Sequence, residues 1–258
     1  MSRLRRVAAL YDIHGNLPAL EAVLVEVERA RVDLVLVGGD VMPGPMPREV
    51  LERLDASRLP TQWIKGNGDR ECLAEVDGRV SPMPEAVRTL LRWSRDQLTA
   101  VQLAAVAAWP PHVRLALAGL GSVFFCHATP RNDEEIITQA MPDALLRPVF
   151  ADAAADLVVC GHTHIQFDRH VGATRVINAG SVGMPFQKPG AAYWLLLGEG
   201  VELRRTEYDL HAAAATVRRS AYPGAEEFAR VNVLEPPDML EPLTAYGLAQ
   251  LGGEIHGT

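Results

Sequence analysis

Hydrophobic and polar positions follow two rhythms along this chain. Short unbroken apolar runs at residues 6–10 (RVAAL), 34–37 (LVLV) and 62–65 read as buried strands. Between them, Leu17, Leu20, Leu24 and Val27 share one face of a helix predicted over residues 17–29, with Asn16 as its N-cap. A second helix is predicted near residues 47–55, after a proline-rich loop at 43–47. This β-α-β-α-β order implies parallel strands with helices on their faces. Residues 84–108 read as helical, with Thr99 as a cap and Pro110-Pro111 as an end signal. The rhythm then shortens. Strands at 112–117 and 122–126 flank a turn near "AGLGS", and a helix is predicted near 133–139. Strands at 156–160, 164–170, 174–178, 191–197 and 201–207 and a helix at 209–219 follow. No repeat or linker interrupts the pattern. The expected organisation is a single domain over residues 1–258, with a core at about 6–220 and a C-terminal surface tail at about 221–258.

Composition narrows the function classes. A chain of 258 residues with 48% hydrophobic and 22% charged residues can bury a sizeable core. A net charge of −7 gives no footprint for general nucleic-acid binding. The three cysteines, Cys72, Cys126 and Cys160, form no CxxC pair, which argues against a disulfide framework and against a thiolate zinc site. The N-terminal apolar stretch, Val7 to Leu10, is too short for a signal peptide. No run approaches the roughly 20 apolar residues of a membrane span. The expectation is a reduced, cytoplasmic protein with no membrane partner.

The chemistry lies where the apolar runs stop. "RVAALYDIHG" ends on Asp12 and His14, "LVLVGGD" on Asp40, "WIKGNGD" on Asn67, "SVFFCHATP" on His127, and "LVVCGHTH" on His162 and His164. Any one of these has a bland reading: an Asp after a strand is usually a cap or turn residue, and a lone buried His is usually a core residue. Five such strand ends in one chain are harder to dismiss. Ligands of open α/β sheets bind beyond the carboxyl ends of strands. On an extended backbone the Asp12/His14 and His162/His164 pairs would each point one way. Seven oxygen and nitrogen donors without a thiolate suit Mn, Fe, Ni, Co or Zn. They exceed one tetrahedral centre and fit two ions about 3.5–4 Å apart that share a carboxylate.

The ordered blocks "DIHGN", "GGDVMPGP", "CHATPRN", "GHTH" and "NAGSVGMP" resemble the calcineurin-like metallophosphoesterase superfamily, and most closely its small prokaryotic phosphodiesterase/phosphatase branch. The resemblance runs from residue 6 to about 207. It implies a four-layer α/β/β/α sandwich of two mixed sheets, with the metal site at the carboxyl ends of the strands. It also implies two divalent ions, manganese foremost, with Asp12, His14 and His164 on one, Asn67, His127 and His162 on the other, and Asp40 between them. The implied reaction is phosphate mono- or diester hydrolysis, by in-line attack of a metal-bridging hydroxide on a small phosphorylated substrate such as a nucleotide. Asp40, Asn67, His127 and Asp69 would be its catalytic residues.

One position departs from that pattern. The superfamily usually has Gly-Asn-His-(Asp/Glu), and its His is thought to assist the leaving group or bind phosphate; here the position is Gly68. Substrates with good leaving groups are therefore expected, and Gly68→His is expected to help poor ones. Arg131 and Asn132 are candidate phosphate contacts, set against a surface Arg and a capping Asn. Asn16 is a candidate too, with capping the stronger reading. His112, His170 and His211 read as structural or surface residues. A non-catalytic metal-binding scaffold serving as a protein-interaction module is the alternative. A mononuclear amidohydrolase ranks lower, because its HxH comes early in the chain.

Overall fold

The computed structural model describes residues 4–75 and 83–252. Its strands are β1 (Val7–Leu10), β2 (Leu34–Val37), β3 (Thr61–Trp63), β4 (His112–Leu117), β5 (Gly121–Cys126), β6 (Leu157–Cys160), β7 (Phe167–Val171), β8 (Thr174–Asn178), β9 (Ala192–Leu197) and β10 (Val201–Thr206). They form two five-stranded sheets, ordered β10-β9-β1-β2-β3 and β4-β5-β6-β8-β7. Both sheets are mixed. β1, β2 and β3 run parallel, as do β5, β6 and β8, while β9, β10, β4 and β7 pair antiparallel with their neighbours.

The two faces of β1 show why the sheets stack. Val7, Ala9 and Tyr11 join Leu36, Phe125, Val159 and Leu195 between the sheets, while Ala8 and Leu10 turn outward to the helices. This is the period-two alternation of a strand buried on both faces. The outward side of the first sheet is covered by α1 (Leu17–Ala30), α2 (Pro47–Asp55), α3 (Asn67–Ala74), α4 (Glu85–Asp96) and α5 (Ala100–Ala108). The outer side of the second sheet is covered by α6 (Asp143–Phe150) and by a C-terminal helix described below. The result is the expected four layers.

One predicted helical stretch is divided at its expected cap, and one predicted helix differs. The 84–108 stretch is two helices, because Thr99 and Gln102 form a reciprocal capping box that starts α5 afresh. The helix expected at 133–139 is absent. Asn132 Oδ1 does accept from the amides of Glu134 and Glu135, as a cap would. The β-branched run Ile136-Ile137-Thr138 then disfavours a helix, and Ile136 N–H donates instead to the distant Gln250 side chain.

The chain beyond β10 packs as helices. α7 (Leu210–Arg219), α8 (Ala225–Glu227) and a π-helical turn (Phe228–Leu234) form an apolar cluster around Val217, Phe228 and Val233. α9 (Leu240–Gln250) returns across the second sheet's helical layer, where Leu248 packs against the cluster of Ile137 and Met141. Among the described residues, no helix is long and apolar enough to cross a membrane.

Candidate metal centre

The loops after β1, β2, β3, β5 and β6 meet at one edge of the sandwich. Backbone bonds bind them together. Asp12 N–H donates to Gly39 O (3.1 Å), His14 N–H to Asp40 O (2.9 Å) and Gly161 N–H to His127 O (2.8 Å). His162 N–H donates to Asp12 Oδ2 (2.9 Å), which joins the two sheets at the site. Asp12, His14, Asp40, His162 and His164 all have positive φ, between 45° and 67°. Non-glycine residues rarely adopt this left-handed conformation, and it costs about 1–3 kcal/mol at each position where surrounding structure enforces it. The i, i+2 pairs thus converge through tight left-handed turns, not through extended alternation. Gly39, at φ 97°, supplies the freedom needed before Asp40, and a side chain there would strike His127 Nδ1.

Three histidine rings are fixed from behind. Nδ1 of His14 meets Pro43 O (2.9 Å), that of His127 meets Gly38 O (2.9 Å) and that of His164 meets Met184 O (2.6 Å). A neutral imidazole that donates from Nδ1 presents a lone pair at Nε2. Those lone pairs face carboxylates: His164 Nε2 lies 3.4 Å from Asp12 Oδ1, and His127 Nε2 lies 3.8 Å from the same oxygen. Asp40 Oδ2 is 3.6 Å from both His14 Nε2 and His127 Nε2. The arrangement contains two compact donor sets, Asp12/His14/His164 and Asp12/Asp40/His127. Asp12 Oδ1 and His14 Nε2 are buried without any hydrogen-bond partner. Acceptors turned on one another away from water are repulsive and costly, unless a cation sits among them. The donor set therefore fits divalent metal.

The electrostatics agree. Burial pushes the Asp12 carboxyl up to about 7, against the pull of His127. It pushes Asp40 to about 6, against His14. Burial lowers His14 and His164 to about 4, and holds His162 well below its ordinary value. At neutral pH His14, His162 and His164 are thus in the neutral form that binds metal, and the close approaches of His14 to Asp40 and of His164 to Asp12 are not ion pairs.

Residues 6–198 match the calcineurin-like phosphoesterase superfamily domain. The chain belongs to that superfamily. It is 27% identical over 236 residues to an uncharacterized protein of Methanocaldococcus jannaschii, covering 84% of this chain and 93% of that one. Among solved structures, a hypothetical protein from Pyrococcus horikoshii OT3 superposes with a TM-score of 0.77 at 20% identity, over 90% of this chain and 99% of that one. A metallophosphoesterase from Sphaerobacter thermophilus gives a TM-score of 0.70 at 25% identity, over 90% of this chain and all of that one.

The other residues singled out from the sequence have distinct places in this superfamily site. Asn67 is the first residue of α3, with its Oδ1 3.0 Å from His127 Nε2. The His162 ring stands back from the two compact sets, 5.2 Å centre to centre from the His127 ring, with its Nε2 3.2 Å from Glu134 O. Asp69 is fully buried behind Asp40. It accepts N–H groups from Asp40 (2.8 Å), Gly66 (3.0 Å), Val41 (3.0 Å) and Met42 (3.2 Å). Burial and the Asp40 charge push Asp69 up to about 7, against those donors. Asn16 caps α1 through Ala19 N–H and donates to Gly183 O.

Arg131 is ion-paired with Glu135, and Asn132 caps its own turn. Both line a cleft of about 390 Å³ that opens beside His127, with Lys65, Arg70 and His112 on its other walls. Arg70 is tied to Glu71, Asp133 and Glu134. His112, read from the sequence as structural or surface, arrives here because β4 pairs antiparallel with β5 and sets it opposite Cys126, one residue before His127. Only that long-range register could have revealed it.

Gly68 explains the departure from the family pattern. Its N–H donates to Asp40 Oδ1 (2.8 Å). A Cβ on it would lie 2.6 Å from Met42 O and 2.9 Å from Pro43 Cδ. The loop after Asp40 occupies the space that a side chain at position 68 would need, so Gly68→His cannot simply add an imidazole, contrary to the expectation from sequence.

Proposed function

We propose that this chain is a two-metal phosphoesterase that hydrolyses a phosphate mono- or diester. The observation that carries the reading is the pair of buried acceptors without a donor, Asp12 Oδ1 and His14 Nε2, set within two compact donor groups drawn from four strand ends. Asp12, His14 and His164 would hold one ion, and Asn67, His127 and His162 the other. Asp40 lies within reach of both sets, with manganese the first metal to test. Two such ions, held by these residues, would acidify a water and offset charge on the phosphoryl oxygens.

The protein's own residues do the positioning. Pro43, Gly38 and Met184 carbonyls hold three imidazoles in one tautomer. Asp69 organises the backbone of the Asp40 loop, which is how it would serve catalysis. The cleft beside His127 would take the substrate's remaining group, with Arg131, Asn132, Lys65 and His112 along its walls. With glycine at 68, that position supplies no leaving-group acid, which favours aryl over alkyl esters. The test is to purify the protein, count bound metal, and assay an aryl phosphodiester and an aryl monoester with and without Mn²⁺. Metal uptake with Mn²⁺-dependent turnover supports the reading, while no metal and no turnover on either ester would overturn it.

A further inference from the structure

The C-terminal helix α9 lies outside the loops that form the site, yet its two ends touch the supports of His162 and His164. At the far end, Gln250 Nε2 donates to Glu134 O (3.3 Å), the same carbonyl that meets His162 Nε2 at 3.2 Å. Gln250 Oε1 also accepts from Ile136 N–H (2.8 Å). One turn and a half earlier, Thr244 Oγ1 pairs with Thr138 Oγ1 (2.7 Å). Between them Gly247 sits so close that a Cβ would fall 2.5 Å from Ile136 O. At the near end, Met239 N–H, at the helix N-cap, donates to Phe186 O (3.2 Å). Phe186 in turn donates its N–H to His164 O (3.2 Å) and stacks on the His164 ring, 4.4 Å between centres and 25° between planes.

The segment braced in this way has no regular structure of its own, so its carbonyls have no ladder to hold them. It is anchored elsewhere by Arg70 on Asp133 and Glu134 and by Arg169 on the carbonyls of Gln139 (2.9 Å) and Met141 (2.7 Å). Gln250 is the α9 side chain that reaches the Glu134 carbonyl itself. His162 depends on this support because Glu134 O is what its Nε2 meets.

We propose that α9 is a positioning brace for the His162/His164 pair, so that metal affinity, and not only fold stability, depends on Gln250, Thr244 and Phe186. This rests on the reading of those histidines as ligands. Hydrogen bonds that orient metal-bound histidines typically change metal affinity by about 10–100-fold when removed.

The experiment uses the full chain and Mn²⁺ as the probe. Mn²⁺ titrations are run on the unaltered protein, on Gln250→Ala, on Gln250→Ala/Thr244→Val, and on Tyr246→Ser as a control on the exposed face of the same helix. Imidazole ¹⁵N spectra of the metal-free proteins and thermal midpoints are recorded in parallel. The expected result is an affinity about tenfold weaker for one Mn²⁺ equivalent in Gln250→Ala, with the other equivalent and Tyr246→Ser unchanged. The His162 ring resonances should move in Gln250→Ala and stay put in Tyr246→Ser. Lower thermal midpoints with unaltered Mn²⁺ affinity and unaltered His162 resonances would make α9 a packing element and sink the proposal. If the unaltered protein binds no Mn²⁺, the metal reading fails, and the metal-free ¹⁵N spectra still decide whether α9 holds the His162 ring.

Discussion

Asp69 Oδ2 accepts the backbone N–H of Asp40 at 2.8 Å, so a carboxylate that faces no substrate sets the position of one at the centre of the site. Asp69→Ala would leave four buried N–H groups without an acceptor. The expected loss is about 2–4 kcal/mol of stability, since buried donors left without an acceptor carry their full desolvation cost. It should be visible as a lower denaturant midpoint with an unchanged slope. Metal affinity should fall with it, because the Asp40 loop loses its anchor.

Metal binding should depend on pH in a direction fixed by the carboxylates. Asp12 and Asp40 titrate near 7 and 6 in the metal-free protein, both raised, and both must be ionised to bind. As pH falls through 7 to 5 the ion must displace their protons, and its apparent affinity drops. His14 and His164, lowered to about 4, stay neutral over this window and add nothing to the slope. A decline of at least about tenfold between pH 7.5 and 5.5 is expected, with proton release measurable by calorimetry in buffers of different ionisation enthalpy. A flat profile would mean that neither carboxylate is a ligand.

Removing ligands should separate the two ions. Asp40→Ala takes away the oxygen 3.6 Å from both His14 and His127, so both ions should be lost along with turnover. His127→Ala should weaken one ion by about tenfold or more and leave the other bound. Elemental analysis after dialysis against Mn²⁺ distinguishes the two outcomes. Equal stoichiometry in both variants would contradict the assignment of Asp40.

Gly68→His, attractive from the family pattern alone, should harm the protein. The Cβ meets Met42 O at 2.6 Å, and that atom is backbone. A cost of about 1–3 kcal/mol and slower turnover of aryl and alkyl esters alike are expected, and Gly68→Ala should show most of the same loss. A faster alkyl ester reaction in Gly68→His would show that the loop yields and the imidazole reaches the substrate.

Much of this site could be read in advance because each strand announces its own end. An apolar run that stops on Asp12, Asp40, His127 or His162 gives both the strand boundary and the donor, and β2, β4 and β8 match their predicted ranges residue for residue. What stayed hidden depended on contacts between distant segments. His112 enters the cleft only through the β4–β5 register. The 133–139 segment stays irregular while Ile136 donates to Gln250, which is 114 residues away. Gly68 looked like a missing catalytic group, and it is a close approach between two loops. The left-handed backbone at the Asp and His positions was also invisible, because residue type alone seldom signals it.

That left-handed backbone has a consequence for how the protein handles its ions. The turns at Asp12, His14, Asp40, His162 and His164 are tied to neighbouring loops by backbone hydrogen bonds, so the chain's own contacts contribute to the geometry of the site. The fold has a large core apart from the site, unlike a zinc finger, whose chain collapses only around its metal. A site of nitrogen and oxygen donors without a thiolate accepts several divalent ions. The ion it carries at a given moment would follow the supply around it, and one polypeptide could change its catalytic behaviour without any change in sequence.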